Sequence, residues 1–209
     1  MPFRTQIRKN LAKIENLGIE MIAPSHGPVY REPAFIMDAY RDWVSDEVKN
    51  EVVLAYVSMH GSTERMAERL TDALMRRGIN VHRFDIAVTD LGNLAVSLVD
   101  AATVIVGAPT VLTGPHPMAA YAAMLVGALR PKAKFAGIFG SYGWAGKMPE
   151  QLTQMLSPMR AELFEPVISK GHPKDEDMKR LDELADQILA KHKEIGIAGS
   201  MPRDGQAGM

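Results

Sequence analysis

Cysteine is absent from this 209-residue sequence, which rules out disulfides and thiolate metal ligation and fits a reducing cytoplasm. Long apolar runs are missing too. Stretches such as residues 104–106 fall far short of the roughly 20 residues a membrane helix needs. The opening "MPFRTQIRKN" has no apolar segment after its basic residues, so no secretory signal is expected. Neither sign of charge dominates: the formal net charge is -1 at pH 7, and nothing electrostatic argues for nucleic acid or an anionic membrane. What is present in quantity is apolar residue, 46% of the chain, enough to bury a substantial core.

From residue 52 the chain alternates two periods. "VVLAYV" (52–57), "INVHRFDI" (79–86), "ATVIVGAP" (102–109), "KFAGIFGS" (134–141) and "ELFEPVIS" (162–169) read as strands, the first as one buried on both faces. Between them, "TERMAERLTDALMRRG" places Met66, Leu70, Ala73 and Leu74 on one helical face and stops at Gly78. Helical stretches follow at about 90–99, 118–129 and 146–159, and "DEDMKRLDELADQILAKHKEIG" (175–196) closes the pattern. Five β-α units in strict alternation predict an α/β fold with a parallel sheet, helices on both faces, in three αβα layers. Ligands of such sheets bind beyond the carboxyl ends of the strands.

Three loops at that edge carry the candidate chemistry. The first, Ser58, Met59, His60, Gly61, Ser62 and Thr63, crowds hydroxyls around a glycine at a helix entry, where unpaired backbone N–H groups attract phosphate. G-x-x-x-x-G-K-[ST] and G-x-G-x-x-G are both lacking, so nucleoside triphosphate and the usual dinucleotide folds are disfavoured. Two readings stand for this loop alone: helix capping by Ser62 or Thr63, or a single phosphate held by neutral donors. The second loop, "GAPTVLTGPHP", is rich in Gly, Pro and Thr. The third, "GSYGWAGK", sets Tyr142 and Trp144 among glycines, where large rings stand in solvent unless they cover something. Together the three favour a planar ring ligand ending in a phosphate.

These motifs resemble the three FMN-binding loops of flavodoxin-like domains, and more specifically those of flavodiiron proteins (A-type flavoproteins), over about residues 18–195. "IEMIAPSHGPVYREP" strengthens the resemblance, because a segment of this kind joins the metallo-β-lactamase-like diiron domain to the flavodoxin domain in that family. The resemblance implies a five-stranded flavodoxin-like sheet. It puts the end of a diiron domain plus linker at 1–50 and the FMN domain at 51–196, and the Gly-rich segment 197–209 reads as a flexible tail. It implies that the first loop wraps the FMN phosphate. Pro109, Thr110, Val111, Leu112, Thr113 and Gly114 then meet ribityl and isoalloxazine, and Ser141, Tyr142, Gly143, Trp144 and Ala145 flank the ring. The sequence departs from the family at His60, where an aromatic is usual, and at Val111, Leu112 and Thr113, where a Tyr-Asn-Asn-like run is usual.

Taken alone, His26 between Ser25 and Gly27 reads as a turn residue. The resemblance makes it the last histidine of a diiron site, a metal ligand only if the missing diiron domain is supplied. No H-x-E-x-D precedes it, so the chain is expected to lack a complete O2- or NO-reducing centre. The family further implies a rubredoxin or similar donor, a diiron-domain polypeptide and a head-to-tail homodimer. The leading expectation is a cytoplasmic FMN electron-transfer module. Two alternatives remain: a free-standing NAD(P)H-dependent quinone reductase, and a cofactor-free binding domain. A hydrolase is set aside because Ser58 lacks His and Asp companions. The acidic face of the last helix reads as solvated, and the fourteen methionines mostly as core filler.

Overall fold

The computed structural model describes residues 3–198, and the chain divides into two compact units, Met1–Glu47 and Val48–Met209. The flexible tail expected from residue 197 lies outside the described residues from 199 onward.

In the first unit, helix α1 (Arg4–Ile14) and helix α2 (Pro33–Val44) flank an irregular segment closed by a bridge between Ile22 and Tyr30. Pro33 opens α2 at a position where its missing N–H costs nothing. Arg8 Nε donates to the Val44 carbonyl at 2.6 Å, and Arg4 and Arg8 both pair with Asp46. Among the described residues only Met37 and Val44 are buried here, while Phe3, Phe35 and Leu17 are 71%, 70% and 67% exposed.

The second unit is built on strand β1 (Lys49–Tyr56), helix α3 (Ser62–Arg76), strand β2 (Asn80–Asp85) and helix α4 (Leu91–Ser97). Strand β3 (Ala101–Val111), the two-residue strand β4 (Gly114–Pro115), helix α5 (Pro117–Leu129) and strand β5 (Phe135–Tyr142) come next. Helix α6 (Met148–Leu156), the short strands β6 (Glu162–Leu163) and β7 (Val167–Lys170) and helix α7 (Asp175–Glu194) complete it. The sheet runs β2-β1-β3-β5-β6, with β7 also on β5 and β4 antiparallel on β3; the remaining pairs are parallel. Strand β1 and the residue just after it turn Val53, Ala55 and Val57 into a core under α4, α5 and α6. Its Val52, Leu54 and Tyr56 enter a second core under α3 and α7. A strand buried on both faces must be apolar at every position, which is why 52–57 reads as it does.

Two differences from the sequence reading have physical causes. The expected last strand is split, because Pro166, between β6 and β7, has no N–H to give a ladder. The third strand runs past 109 to Val111, where a hairpin to Gly114 supplies partners.

Polar anchors secure the edge of the sheet opposite the three loops. His192, fully buried at the end of α7, meets Asn50 Oδ1 and Thr103 Oγ1, each at 2.8 Å. The Asn50 amide nitrogen donates to the Gly78 carbonyl, so its oxygen faces His192 and takes the Nδ1 proton. Nε2 is then left to accept from the Thr103 hydroxyl. Burial lowers the His192 pKa to about 4. Beside it, Asp100 lies 2.7 Å from Lys49 Nζ and 3.0 Å from the buried Lys132 Nζ. Burial works to raise the Asp100 pKa, but hydrogen bonds from Lys49 and Lys132 outweigh it and hold the carboxyl below its usual range.

Candidate functional site

Strand order reverses between β1, which leads out to β2, and β3, which leads the other way to β5. The loops leaving the carboxyl ends of β1 and β3 therefore diverge and open a crevice. A cleft of about 510 Å³ occupies it, lined by Ser58, Met59, His60, Ser62, Thr63, Pro109, Thr110, Val111, Leu112, Ser141, Tyr142, Gly143, Trp144, Gly171 and His172. Of the residues singled out from the sequence, Gly61, Thr113, Gly114 and Ala145 stand outside this lining.

Each loop is held by an identifiable device. Gly61 takes φ 78° as the residue before α3, a left-handed turn that glycine adopts without steric cost. No side chain caps that helix; Ser62 and Thr63 are its first residues rather than its cap. The N–H groups of the first turn are thus left with no side-chain acceptor. The hydroxyls of Ser58 and Thr63 are buried without a hydrogen-bond partner, and Thr63 is 1% exposed.

The second loop turns through Leu112 and Thr113, at φ 48° and 71°, between the paired residues Val111 and Gly114. Two successive left-handed residues suit a hairpin turn but are costly with side chains of this kind. The Thr113 carbonyl accepts from the Lys147 N–H at 2.6 Å, tying this loop to the third. His116 caps α5, its Nδ1 accepting from the Met118 N–H. Leu112 and Trp144 are 96% and 92% exposed, and Met59 is 52% exposed, so Trp144 does not pack down on a neighbouring loop.

A fourth loop joins the other three. Gly171, at φ 73°, receives a hydrogen bond on its carbonyl from Ser169 Oγ and donates its N–H to the Tyr142 carbonyl at 2.8 Å. This places His172 in the cleft, with Nδ1 3.4 Å from Ser62 Oγ and Nε2 2.8 Å from Arg65 Nη1. Arg65 stands in the first turn of α3, so a cation does serve the first loop, from just beyond it. Sequence reasoning left His172 and Arg65 unassigned. The signal was "SKGHP", a Gly-His pair directly after the last strand, at the same edge as the other loops.

The donor set suits a phosphate monoester beside an apolar ring, as in FMN. Uncapped N–H groups and orphaned hydroxyls want an acceptor with several oxygens, and the exposed Leu112, Trp144 and Met59 offer apolar surface beside them. No Asp or Glu is among the lining residues to oppose an anion. His26 is exposed in the first unit, and the described residues hold no group of three or more His, Asp or Glu able to bind a metal. No helix among them is long and apolar enough to cross a membrane.

The chain is 36% identical over 197 residues to a nitric oxide reductase of Moorella thermoacetica, a match covering 91% of this chain and 49% of that protein. It is 31% identical to the rubredoxin-oxygen oxidoreductase of Megalodesulfovibrio gigas, covering 90% and 48%. The solved structure of rubredoxin oxygen:oxidoreductase from Desulfovibrio gigas superposes with a TM-score of 0.88 at 30% identity, over 92% of this chain and 50% of that one. The chain thus spans about half the length of these relatives. An archaeal flavodoxin, by contrast, is matched over 99% of its own length and 68% of this chain, with a TM-score of 0.60 and 25% identity. The model of the flavodoxin family matches residues 54–188. Since that match takes in more than half of the sequence and all of the cleft's loops, the chain belongs to the flavodoxin family.

Proposed function

We propose that this chain is an FMN-binding electron-transfer module of a flavodiiron-type system that reduces O2 or NO. The observation that carries the reading is the pair of buried, unpartnered hydroxyls of Ser58 and Thr63 beside the uncapped start of α3. Such groups cost stability in an empty protein, and a bound phosphate would satisfy them. In this reading Ser58, Met59, His60, Gly61, Ser62 and Thr63 hold the phosphate. Pro109, Thr110, Val111, Leu112, Thr113 and Gly114 meet the ribityl chain and ring, and Ser141, Tyr142, Gly143, Trp144 and Ala145 flank it. FMN, when bound, supplies reversible one- and two-electron chemistry. The chain's residues bind it, orient it and keep carboxylates away from it.

The relatives named for nitric oxide and rubredoxin-oxygen chemistry are about twice this length, which supports a role shared with a further domain. We assign the first unit, residues 1–47, to the end of a metallo-β-lactamase-like diiron domain plus linker, since Lys49 and Asn50 already belong to β1, with His26 supplying one iron ligand only when the other ligands come from that domain. A rubredoxin-type donor and a homodimer belong to the same proposal, as does a cytoplasmic setting.

Titration of the purified chain with FMN tests the reading, followed by flavin fluorescence and calorimetry. Stoichiometric uptake with a yellow absorbance is expected, with no O2 or NO turnover when iron is added. A chain that takes up no FMN overturns the proposal, and direct oxidation of NAD(P)H would move it to the quinone-reductase alternative.

A further inference from the structure

Resting on the FMN reading above, we propose that His172, braced by Arg65, is a positioning residue that turns the Ser62 hydroxyl into an obligate donor toward a phosphate monoester. A guanidinium has only donors, so the His172 Nε2 that lies 2.8 Å from Arg65 Nη1 accepts. In an imidazole whose Nε2 accepts, the ring proton sits on Nδ1. That nitrogen lies 3.4 Å from Ser62 Oγ, so it donates to the serine oxygen. Ser62 therefore has its own proton left to give, and it lines the cleft beside Ser58 and Thr63.

Thr63 supplies the independent sign that a ligand belongs there, since its hydroxyl is buried, unpartnered and part of the same lining. Three hydroxyls with protons to give, next to uncapped helix N–H groups, ask for an acceptor with at least three oxygens. A phosphate monoester has them, while a ligand ending in an alcohol does not. Cationic charge is delivered through two side chains rather than by a lysine in the turn. The fourth loop is fixed for the purpose by Ser169 and by the Gly171–Tyr142 hydrogen bond. Because His172 contributes through Ser62, its effect is on ligand selection, and it should be felt by FMN and ignored by riboflavin.

The experiment compares FMN and riboflavin affinity in the full chain, by fluorescence quenching, for the native protein and for His172→Ala, His172→Asn, Ser62→Ala and the double variant His172→Ala with Ser62→Ala. His172 is exposed, so the fold should survive, and a thermal melt verifies that it does. His172→Ala is expected to weaken FMN about tenfold, the worth of one directed hydrogen bond, with riboflavin changed less than about twofold. The Asn amide can stand in for Nδ1–H and should restore most of the loss. The double variant should be no weaker than Ser62→Ala alone, because the two residues act in series.

Parallel loss of FMN and riboflavin, or losses that add in the double variant, would overturn the relay and leave the FMN reading standing. A native chain that binds neither ligand would take down both.

Discussion

Leaving a buried hydroxyl unpartnered costs about 1–3 kcal/mol, and Thr63 carries such a cost with its side chain sealed from solvent. Valine has nearly the same shape and no hydroxyl. Thr63→Val is therefore expected to raise the melting temperature of the FMN-free protein while lowering FMN affinity about tenfold. A variant that melts lower without ligand would show that the hydroxyl has a protein partner after all. Leu112 and Thr113 make a similar exchange in backbone form, holding left-handed φ values at an exposed tip. Replacing them with Asn and Gly, which accept that turn readily, should stabilise the ligand-free protein by about 1 kcal/mol. If the apolar tip covers the ring, FMN should bind more weakly to the same variant; equal binding would make Leu112 an ornament of the turn. The hydroxyl-rich loop was visible in the sequence because its residues are contiguous. The Arg65–His172 contact was not, since it joins residues 107 positions apart, and no local period marks such a pair.

At the scale of elements, α7 couples the fold to pH. His192 has an unfolded pKa near 6.5 and a folded value lowered to about 4, so the unfolded chain binds the proton more readily. Stability from this residue is complete above about pH 6.5 and is lost as pH falls toward 4, roughly 3 kcal/mol in all. Asp100, held below its usual range by Lys49 and Lys132, adds a further loss at still lower pH, with the same sign. Urea midpoints measured from pH 7 to 4.5 should fall steeply in the native protein and more gently in His192→Leu. Equal slopes would mean that His192 charges in the folded state. Elements were legible where periodicity was strong. Helix α3 ends within two residues of its sequence boundary, and Pro149 sits in the first turn of α6, where it fits. Strand β1 starts earlier than its apolar run because Lys49 pairs with Ala101 and Glu51 with Asn80 through backbone groups that carry no hydropathy signal.

For the whole molecule, strict β-α alternation revealed a parallel sheet and hence the edge where a ligand belongs. The lateral order β2-β1-β3-β5 left no local trace in the sequence, because it is settled by which faces the crossing helices cover. Since the cleft is built from four separate loops, ligand binding should stabilise the entire second unit. FMN at a hundredfold excess over its dissociation constant should add about 2.7 kcal/mol, read as a shift in the global melt rather than in one early phase. The hydrogen bond between Asn50, at the start of that unit, and His192, near its close, has a consequence for connectivity. The two ends of the unit are neighbours in space, so the order in which the chain visits its elements is open to rearrangement. A circularly permuted chain, with residues 198 and 48 joined by a short Gly-Ser bridge and new ends cut at the exposed turn around Val88, should rebuild the same sheet and take up FMN as before.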